Sequence, residues 1–352
     1  MTRIAAHRLV RLALALATLA LFTLLPIVGA RHGMVWLPIA ITFIAIPLLD
    51  AWVGRSAASP TIDLPRSLAR WLPRAQVPLQ VALLVQALVL LPALSTAESV
   101  VFAIAVGTVT GGLGITIAHE LGHRASRLDR LLSKLLLVSV GYGHFFVEHN
   151  RGHHVRVATP DDPASAPRGI SVYRFIVRSV VGSLGHAWRL ERLRLSHGGR
   201  SALHPSNWVL TGSLLWGVLL GLAAALGGVA AMAFLAGQAM VAVALLEIVN
   251  YIEHYGLRRR RHAGGRPEPV APHHSWNADF IVSNWLLFNL QLHSDHHAHV
   301  DRPFETLRSM RQAPQLPAGY PTMVLVALVP PLWFALMDAR VPADPDPGSV
   351  AA

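Results

Sequence analysis

Six stretches of about twenty apolar residues constrain this chain more than any other feature, because a water-soluble core cannot absorb them and a bilayer about 30 Å thick needs that length per helix. They cover residues 9–30, 35–53, 77–94, 99–118, 208–226 and 229–249. Short loops pair them at Arg31-His32-Gly33, at Ser95-Thr96-Ala97-Glu98 and at Gly227-Gly228. The expected fold is therefore an all-α integral membrane protein with six transmembrane helices in three hairpins. Val28-Gly29-Ala30 resembles a signal-peptide cleavage site, but the apolar stretch before it is longer than a signal core, so it counts as a span. Two weaker runs, 131–146 and 321–337, read as interfacial or buried helices, the second broken by Pro330-Pro331. Residues 56–60 read as linker and 339–352 as a loose tail.

Charge orients the spans. Only 14% of residues are charged, yet the formal net charge is +11, and Lys134 is the only lysine among thirty basic residues. With Arg3, Arg8 and Arg11 in the cytoplasm, each hairpin leaves and returns, and only Arg31 falls outside; this is the positive-inside pattern. Both termini are then cytoplasmic, as are residues 119–207 and 250–338, all within a single membrane domain of residues 1–352. The arginines flank apolar segments, which suits anionic lipid and an acidic partner and argues against nucleic acid. There is no cysteine, which excludes disulfides, iron–sulfur clusters and thiolate chemistry, so a metal must be held by His, Asp or Glu.

Nineteen histidines are present, and four groups of them follow apolar segments on that one side. His119-Glu120-Leu121-Gly122-His123 places two imidazoles at i and i+4, on one helix face, where both reach one ion. Glu148-His149-Asn150-Arg151-Gly152-His153-His154 repeats that spacing and adds a histidine. Glu253-His254 ends the sixth span, and His293-Ser294-Asp295-His296-His297 has spacings i, i+3 and i+4. A mononuclear zinc site takes four ligands, so nine clustered histidines imply two metal ions. Imidazole suits Zn, Cu, Fe and Ni, and open positions beside a membrane favour iron with dioxygen. The carboxylates Glu120, Glu148, Glu253 and Asp295 neighbour these histidines and are expected to orient them by accepting the other ring N–H.

Isolated histidines carry a plainer reading. His7, His32, His144, His186, His197, His204 and His262 read as hydrogen-bonded core or interface residues, while His273, His274 and His299 read as surface residues or supports for a ligand.

The motifs HELGHR (119–124), EHNRGHH (148–154), NYIEHYGL (250–257) and LQLHSDHHAH (290–299) resemble those of the membrane alkane hydroxylases, or alkane 1-monooxygenases, within the desaturase and hydroxylase superfamily. The similarity continues through VATPDDPASA (157–166), PHHSWN (272–277) and LPAGYPTM (316–323), and so covers nearly all of the chain from the second span onward. It implies a bacterial-type inner membrane enzyme that hydroxylates the terminal methyl group of alkanes to primary alcohols, using O2 and electrons from rubredoxin and its reductase as separate chains. The implied ligands to two non-haem irons are His119, His123, His149, His153, His154, His254, His293, His296 and His297. The chain departs from the family pattern at Leu292, where an arginine is usual, at Ile170, where a glutamate is usual, and in GRSAASP (54–60).

An apolar substrate arriving from the bilayer needs a cavity between spans, with Phe43, Trp52 and Phe102 as candidates to limit its depth. With no electron carrier in the chain, the run Arg258, Arg259, Arg260 and Arg261 is the candidate docking surface for an acidic redox protein. Three rivals follow from the same residues. A xylene-type methyl hydroxylase or a fatty acyl desaturase would share the histidines. A membrane zinc peptidase would use the HExxH of 119–123 but leaves seven clustered histidines unexplained, and a metal transporter would need polar ligands inside the spans.

Overall fold

The computed structural model describes residues 3–56, 69–262 and 264–343. Part of the linker and most of the tail read from the sequence lie outside these residues. Helix α1 is Arg3–Arg31, α2 is Leu37–Val53, α3 is Trp71–Ala93, and α4 is Thr96–His123. Helix α5 is Arg127–Val138, α6 covers 145–156, α7 is Val172–Ser196, and α8 is Trp208–His254. Four short helices follow: α9 Ile281–Leu286, α10 His293–Ala298, α11 Tyr320–Ala327 and α12 Pro330–Met337. Two 3-10 turns, Pro272–His274 and Phe304–Thr306, and isolated β-bridges accompany them, with no longer strand among the described residues.

Among the described residues three helices are long and apolar enough to cross a membrane, α3, α4 and α8, and α2 is a shorter apolar helix. The 47-residue α8 is two legs, because Gly228 leaves the helical region (φ 70°, ψ −168°) and the chain doubles back. Trp216 on the first leg lies beside Gly141, and Gln238 on the second donates to the Ser139 carbonyl. A left-handed φ there favours glycine, which has no Cβ to clash. The turn between α3 and α4 closes with a capping box: Ser95 Oγ accepts from the Glu98 N–H, and Glu98 accepts from the Ser95 N–H. Run 321–337 forms α11 and α12, broken before Pro330 as the sequence implies, with Met323, Trp333 and Met337 buried.

The legs pack through small residues and a few paired polar groups, the solution open to helices that gain nothing by leaving lipid. On α4, a Cβ at Gly107 would meet the Gln238 carbonyl oxygen at 2.6 Å, and one at Gly111 would meet the Ala242 Cα and oxygen at 2.9 Å. Thr110 Oγ1 donates to Gln238 Oε1 (2.8 Å), Thr23 to Gln76 (2.9 Å), and Gln80 to Ser139 Oγ (2.7 Å), so these buried amides and hydroxyls are paired between helices and loops. Tyr142 donates to the buried Glu247 at 2.6 Å, tying the loop after α5 to the second leg of α8.

Gly111→Val should therefore separate α4 from α8, at a cost of about 1–3 kcal/mol typical of overpacking. Gly112→Ala, whose Cβ meets nothing closer than Leu245 Cδ2 at 3.9 Å, should change little. Thermal unfolding of the two variants in detergent checks this: a lower midpoint is expected for the first alone.

Candidate metal centre

Two of the four histidine motifs sit where an apolar helix ends, and the other two lie in short helices that follow. His119 and His123 occupy the last turns of α4, His254 ends α8, motif 148–154 lies in α6, and His293, His296 and His297 occupy α10. The nine imidazoles converge and sort into two groups, His119, His123, His149, His154 and His296 in one and His153, His254, His293 and His297 in the other. Within each group the available ligand atoms lie within 4.8 Å of one another.

The sorting differs from α-helical spacing in one respect. An i, i+4 pair in an α-helix shares a face, which would send His149 and His153 to one ion. Residues His149–His153 instead form a π-helical turn, and the wider turn brings His154 beside His149 (Nε2 to Nε2, 2.9 Å) and leaves His153 to the other group, 3.2 Å from His297. In α10, His293 and His297 stay together at 2.9 Å, while His296 crosses to His119 at 2.8 Å. Two further π-turns flank the centre: Thr110–Ile115, one turn before His119, and Ile41–Ala45, which holds Phe43.

The donor set fits a pair of metal ions. Nitrogens bound to one ion at about 2.1 Å stand about 3 Å apart, the spacing of these Nε2 atoms. A neutral imidazole carries one N–H, so a ring of Nε2 atoms facing each other cannot be satisfied by mutual hydrogen bonds. Burial first, then repulsion between neighbours, pushes His149, His154, His293 and His297 well below the ordinary imidazole range, and burial takes His296 down to about 3. All are neutral at pH 7, the form that ligates.

The carboxylates divide among different tasks. Glu253 points at the centre, with Oε2 3.2 Å from His293 Nε2 and Oε1 accepting from the Tyr320 hydroxyl at 2.9 Å. Glu148 accepts from His186 Nδ1 at 2.7 Å, and burial raises it to about 8. His186 in turn accepts from Arg156, so the histidine read as an ordinary hydrogen-bonded residue braces motif 148–154 against α7. Glu120 pairs with Arg124 (2.9 Å), and Asp295 with Arg302 (2.6 Å) and His299 (2.8 Å), so these two hold neighbouring chain rather than an imidazole of the cluster. The residue that sequence reasoning missed is Asp162. It is fully buried and accepts from His153 Nδ1 at 2.9 Å, which leaves His153 Nε2 free to ligate. Against the pull of burial, that contact holds its carboxyl below the ordinary range. Its signal was the segment VATPDDPASA, noted only as a similarity.

A third group, Glu268, His273 and His274, is a hydrogen-bonded pin. The Ala271 N–H donates to His274 Nδ1 (2.9 Å), so Nε2 carries the proton and donates to Glu268 (3.0 Å), leaving no lone pair for a metal.

The centre has one apolar and one polar approach. An apolar cavity ends on His119, His149 and His293 and is walled by Phe43, Ile115, Leu245, Val249 and Val324. It shares Thr42, Gly112, Leu287 and Pro321 with a second cavity reaching Leu25 and Ile46 between α1, α2 and α4. Of the three aromatic candidates, Phe43 lines it, Phe102 packs in a core against Phe234 (5.4 Å between centroids), and Trp52 is 82% exposed on the outside of α2. From the other side a recess lined by Arg70, Glu120, Arg124, Asp301, Arg302 and Glu305 reaches His123. In the arginine run, Arg259 is built into the fold through the carbonyls of Glu268 and Val155, whereas Arg258 and Arg260 border a surface recess. Leu292 is buried immediately before α10, and Ile170 carries its carbonyl to the Tyr251 hydroxyl.

Comparison with known proteins agrees with this site. The fatty acid desaturase family model matches residues 95–327, a span containing all nine histidines. Alkane 1-monooxygenase 2 of Pseudomonas aeruginosa is 45% identical over 88% of this chain and 84% of its own. The alkane 1-monooxygenase of Acinetobacter baylyi is 42% identical over 85% and 74%. The xylene/toluene monooxygenase hydroxylase component of Pseudomonas putida is 32% identical over 63% and 59%. A peptidase reading of HExxH falls away, since His119 and His123 share their site with three further histidines and Glu120 is paired to Arg124. A membrane oxidoreductase with a histidine-rich centre, this chain belongs to the alkane 1-monooxygenase family, within the fatty acid desaturase superfamily.

Proposed function

We propose that the protein hydroxylates the terminal methyl group of alkanes to primary alcohols, with two irons held by the five-histidine and four-histidine groups. The observation that carries this reading is an apolar cavity that ends on imidazoles of both groups. When bound and reduced, a non-haem iron pair supplies the activation of dioxygen needed to break an unactivated C–H bond. The chain's own residues do the rest. Phe43, Ile115, Leu245 and Val249 bind the hydrocarbon by burying it and exclude water from the reacting end. A narrow apolar bore admits a flexible chain end-on, so the methyl group reaches the centre first. Asp162 holds His153 with its Nε2 turned inward, and Glu253, anchored by Tyr320, faces the same space. The balance of the reaction is one hydrocarbon, O2, two electrons and two protons to one alcohol and one water.

The electrons come from a separate rubredoxin and its reductase, since the chain lacks cysteine and any dinucleotide fingerprint. Six crossings with both termini and the centre on the cytoplasmic side of an inner membrane accord with the arginine distribution and with Gly228 as the outer turn. With Arg259 tied to the Glu268 and Val155 carbonyls, Arg258, Arg260 and Arg261 are the part of the arginine run available to an acidic partner.

An oxygen-dependent assay with rubredoxin and reductase, on alkanes of graded length beside a xylene and a fatty acyl substrate, tests the reaction. Primary alcohols from the alkanes alone are expected; turnover of the aromatic substrate alone would move the assignment to a xylene-type hydroxylase.

Metal analysis tests the centre. About two irons per purified chain are expected, falling to about one in His254→Ala or His123→Ala, each of which opens one group while the other stays complete. His197→Ala should keep both.

For the partner, Arg258→Gln with Arg260→Gln should raise KM for rubredoxin severalfold and weaken its salt dependence, because opposite-charge steering fades as the Debye length shrinks from about 10 Å at 0.1 M to about 3 Å at 1 M. Iron content should not change. An unaltered KM would place docking elsewhere.

A further inference from the structure

Helix α7 is neither a span nor an ordinary surface helix. Its first turns meet the end of the second leg of α8, where Phe175 lies 5.5 Å from Tyr251, and its last turns meet the start of the first leg, where Glu191 accepts from the Trp208 N–H at 3.0 Å. It thus runs across both feet of that hairpin, on the side of the centre.

The helix has three faces. At about 100° per residue, Tyr173, Val177, Val181 and Leu184 fall within roughly 80° of one another, and Arg174, Arg178, Arg189 and Arg192 occupy roughly the next 60°. Val172, Phe175, Ser179, Ser183 and His186 lie opposite and are buried against the protein. The four apolar residues are 44–67% exposed, an arrangement that costs free energy in water. Arg174, Arg189 and Arg192 are exposed and form no ion pair among the described residues. The stripe also continues onto apolar surface beyond α7. The Tyr173 hydroxyl donates to the Leu328 carbonyl at 2.7 Å, beside exposed Leu325, Val329 and Leu332.

We propose that α7 lies in the plane of the lipid–water boundary, with Tyr173, Val177, Val181 and Leu184 among the acyl chains and Arg174, Arg178, Arg189 and Arg192 on the phosphates of anionic phospholipid. Apolar residues along one side and arginines along the next are the pattern of a helix lying in that boundary. The position of α7 at the feet of a membrane-crossing hairpin brings it to the right depth. The occupant is the bilayer rather than a second protein chain, because Arg174 and Arg178 adjoin the apolar stripe over residues 173–184, as phosphates adjoin acyl chains, and Arg189 and Arg192 continue that cationic flank towards the end of the helix. The inner face braces motif 148–154 through His186 to Glu148, so lipid on one side of α7 is opposed by the metal-ligating segment on the other, and beyond Leu184 the apolar sector itself turns into the protein, where buried Glu191 pairs with Arg151 at 2.7 Å.

The absence of cysteine makes the test clean, since any introduced thiol is the only one. Val177→Cys, Val181→Cys, Arg174→Cys and Arg192→Cys, each in the full chain, are labelled with a nitroxide and reconstituted into phosphatidylcholine bilayers with or without phosphatidylglycerol. Collisions with oxygen, which concentrates in lipid, are compared with collisions with a water-soluble nickel complex. Labels at 177 and 181 should favour oxygen severalfold over those at 174 and 192, and phosphatidylglycerol should move the label at 181 deeper. Combining Val181→Cys with Gln at Arg174, Arg178, Arg189 and Arg192 should remove that second shift. A label at 181 as open to nickel as that at 192 would overturn the proposal, as would dipolar broadening between labels at 181, which would put a second copy of the chain on this face. A phosphatidylglycerol shift that survives neutralisation would overturn the role of the arginines.

Discussion

Eight buried imidazoles and the half-buried His123 point their Nε2 lone pairs at one another across about 3 Å, and the architecture around them depends on that crowding. Neutral rings held that way repel, and burial denies them water. Divalent cations would turn that repulsion into coordination, and the arrangement fits a ligand shell. The surrounding framework must therefore be stiff enough to hold the rings in register. The close approach of α4 to α8 at Gly107 and Gly111, the paired amides between helices, and the ties from α7 to motif 148–154 all serve that stiffness.

The two approaches to the centre divide the chemistry by polarity. Hydrocarbon has its own route between spans, and the polar recess at His123 offers one for water and protons. The apolar lining of that cavity disfavours water beside the imidazoles on which it ends.

Much of this was legible before any coordinates. The apolar runs and the Gly227-Gly228 pair announced the helical legs, and the clustered histidines announced the centre, because the length of an apolar run and the spacing of ligands are local properties. The grouping of ligands was not legible: which imidazoles share a group depends on a π-turn at His149–His153, a deviation from α-helical period that no local preference announces. Asp162 was missed because its partnership with His153 is made by a loop that folds back, and an acidic residue beside prolines reads as a surface turn. Trp52 and Phe102 were equally plausible as cavity residues from sequence, since both lie in apolar helices and only packing decides which way an aromatic ring faces. Glu120 and Asp295 adjoin histidines in sequence, but neighbours along a helix point in different directions, and each found an arginine instead.

The π-turns at 110–115 and 149–153 have one more consequence. Each accommodates about one residue more than an α-helical turn would, and the helix beyond it is rotated accordingly. Re-winding either window as regular α-helix with its residue count unchanged would swing every downstream side chain by about 100°, carrying imidazoles out of the cluster without altering any of them. The wider turn in these few residues is thus as much a part of the centre as the histidines. A relative that kept all nine but wound such a window as plain α-helix at the same length would hold the ligands and lack the site.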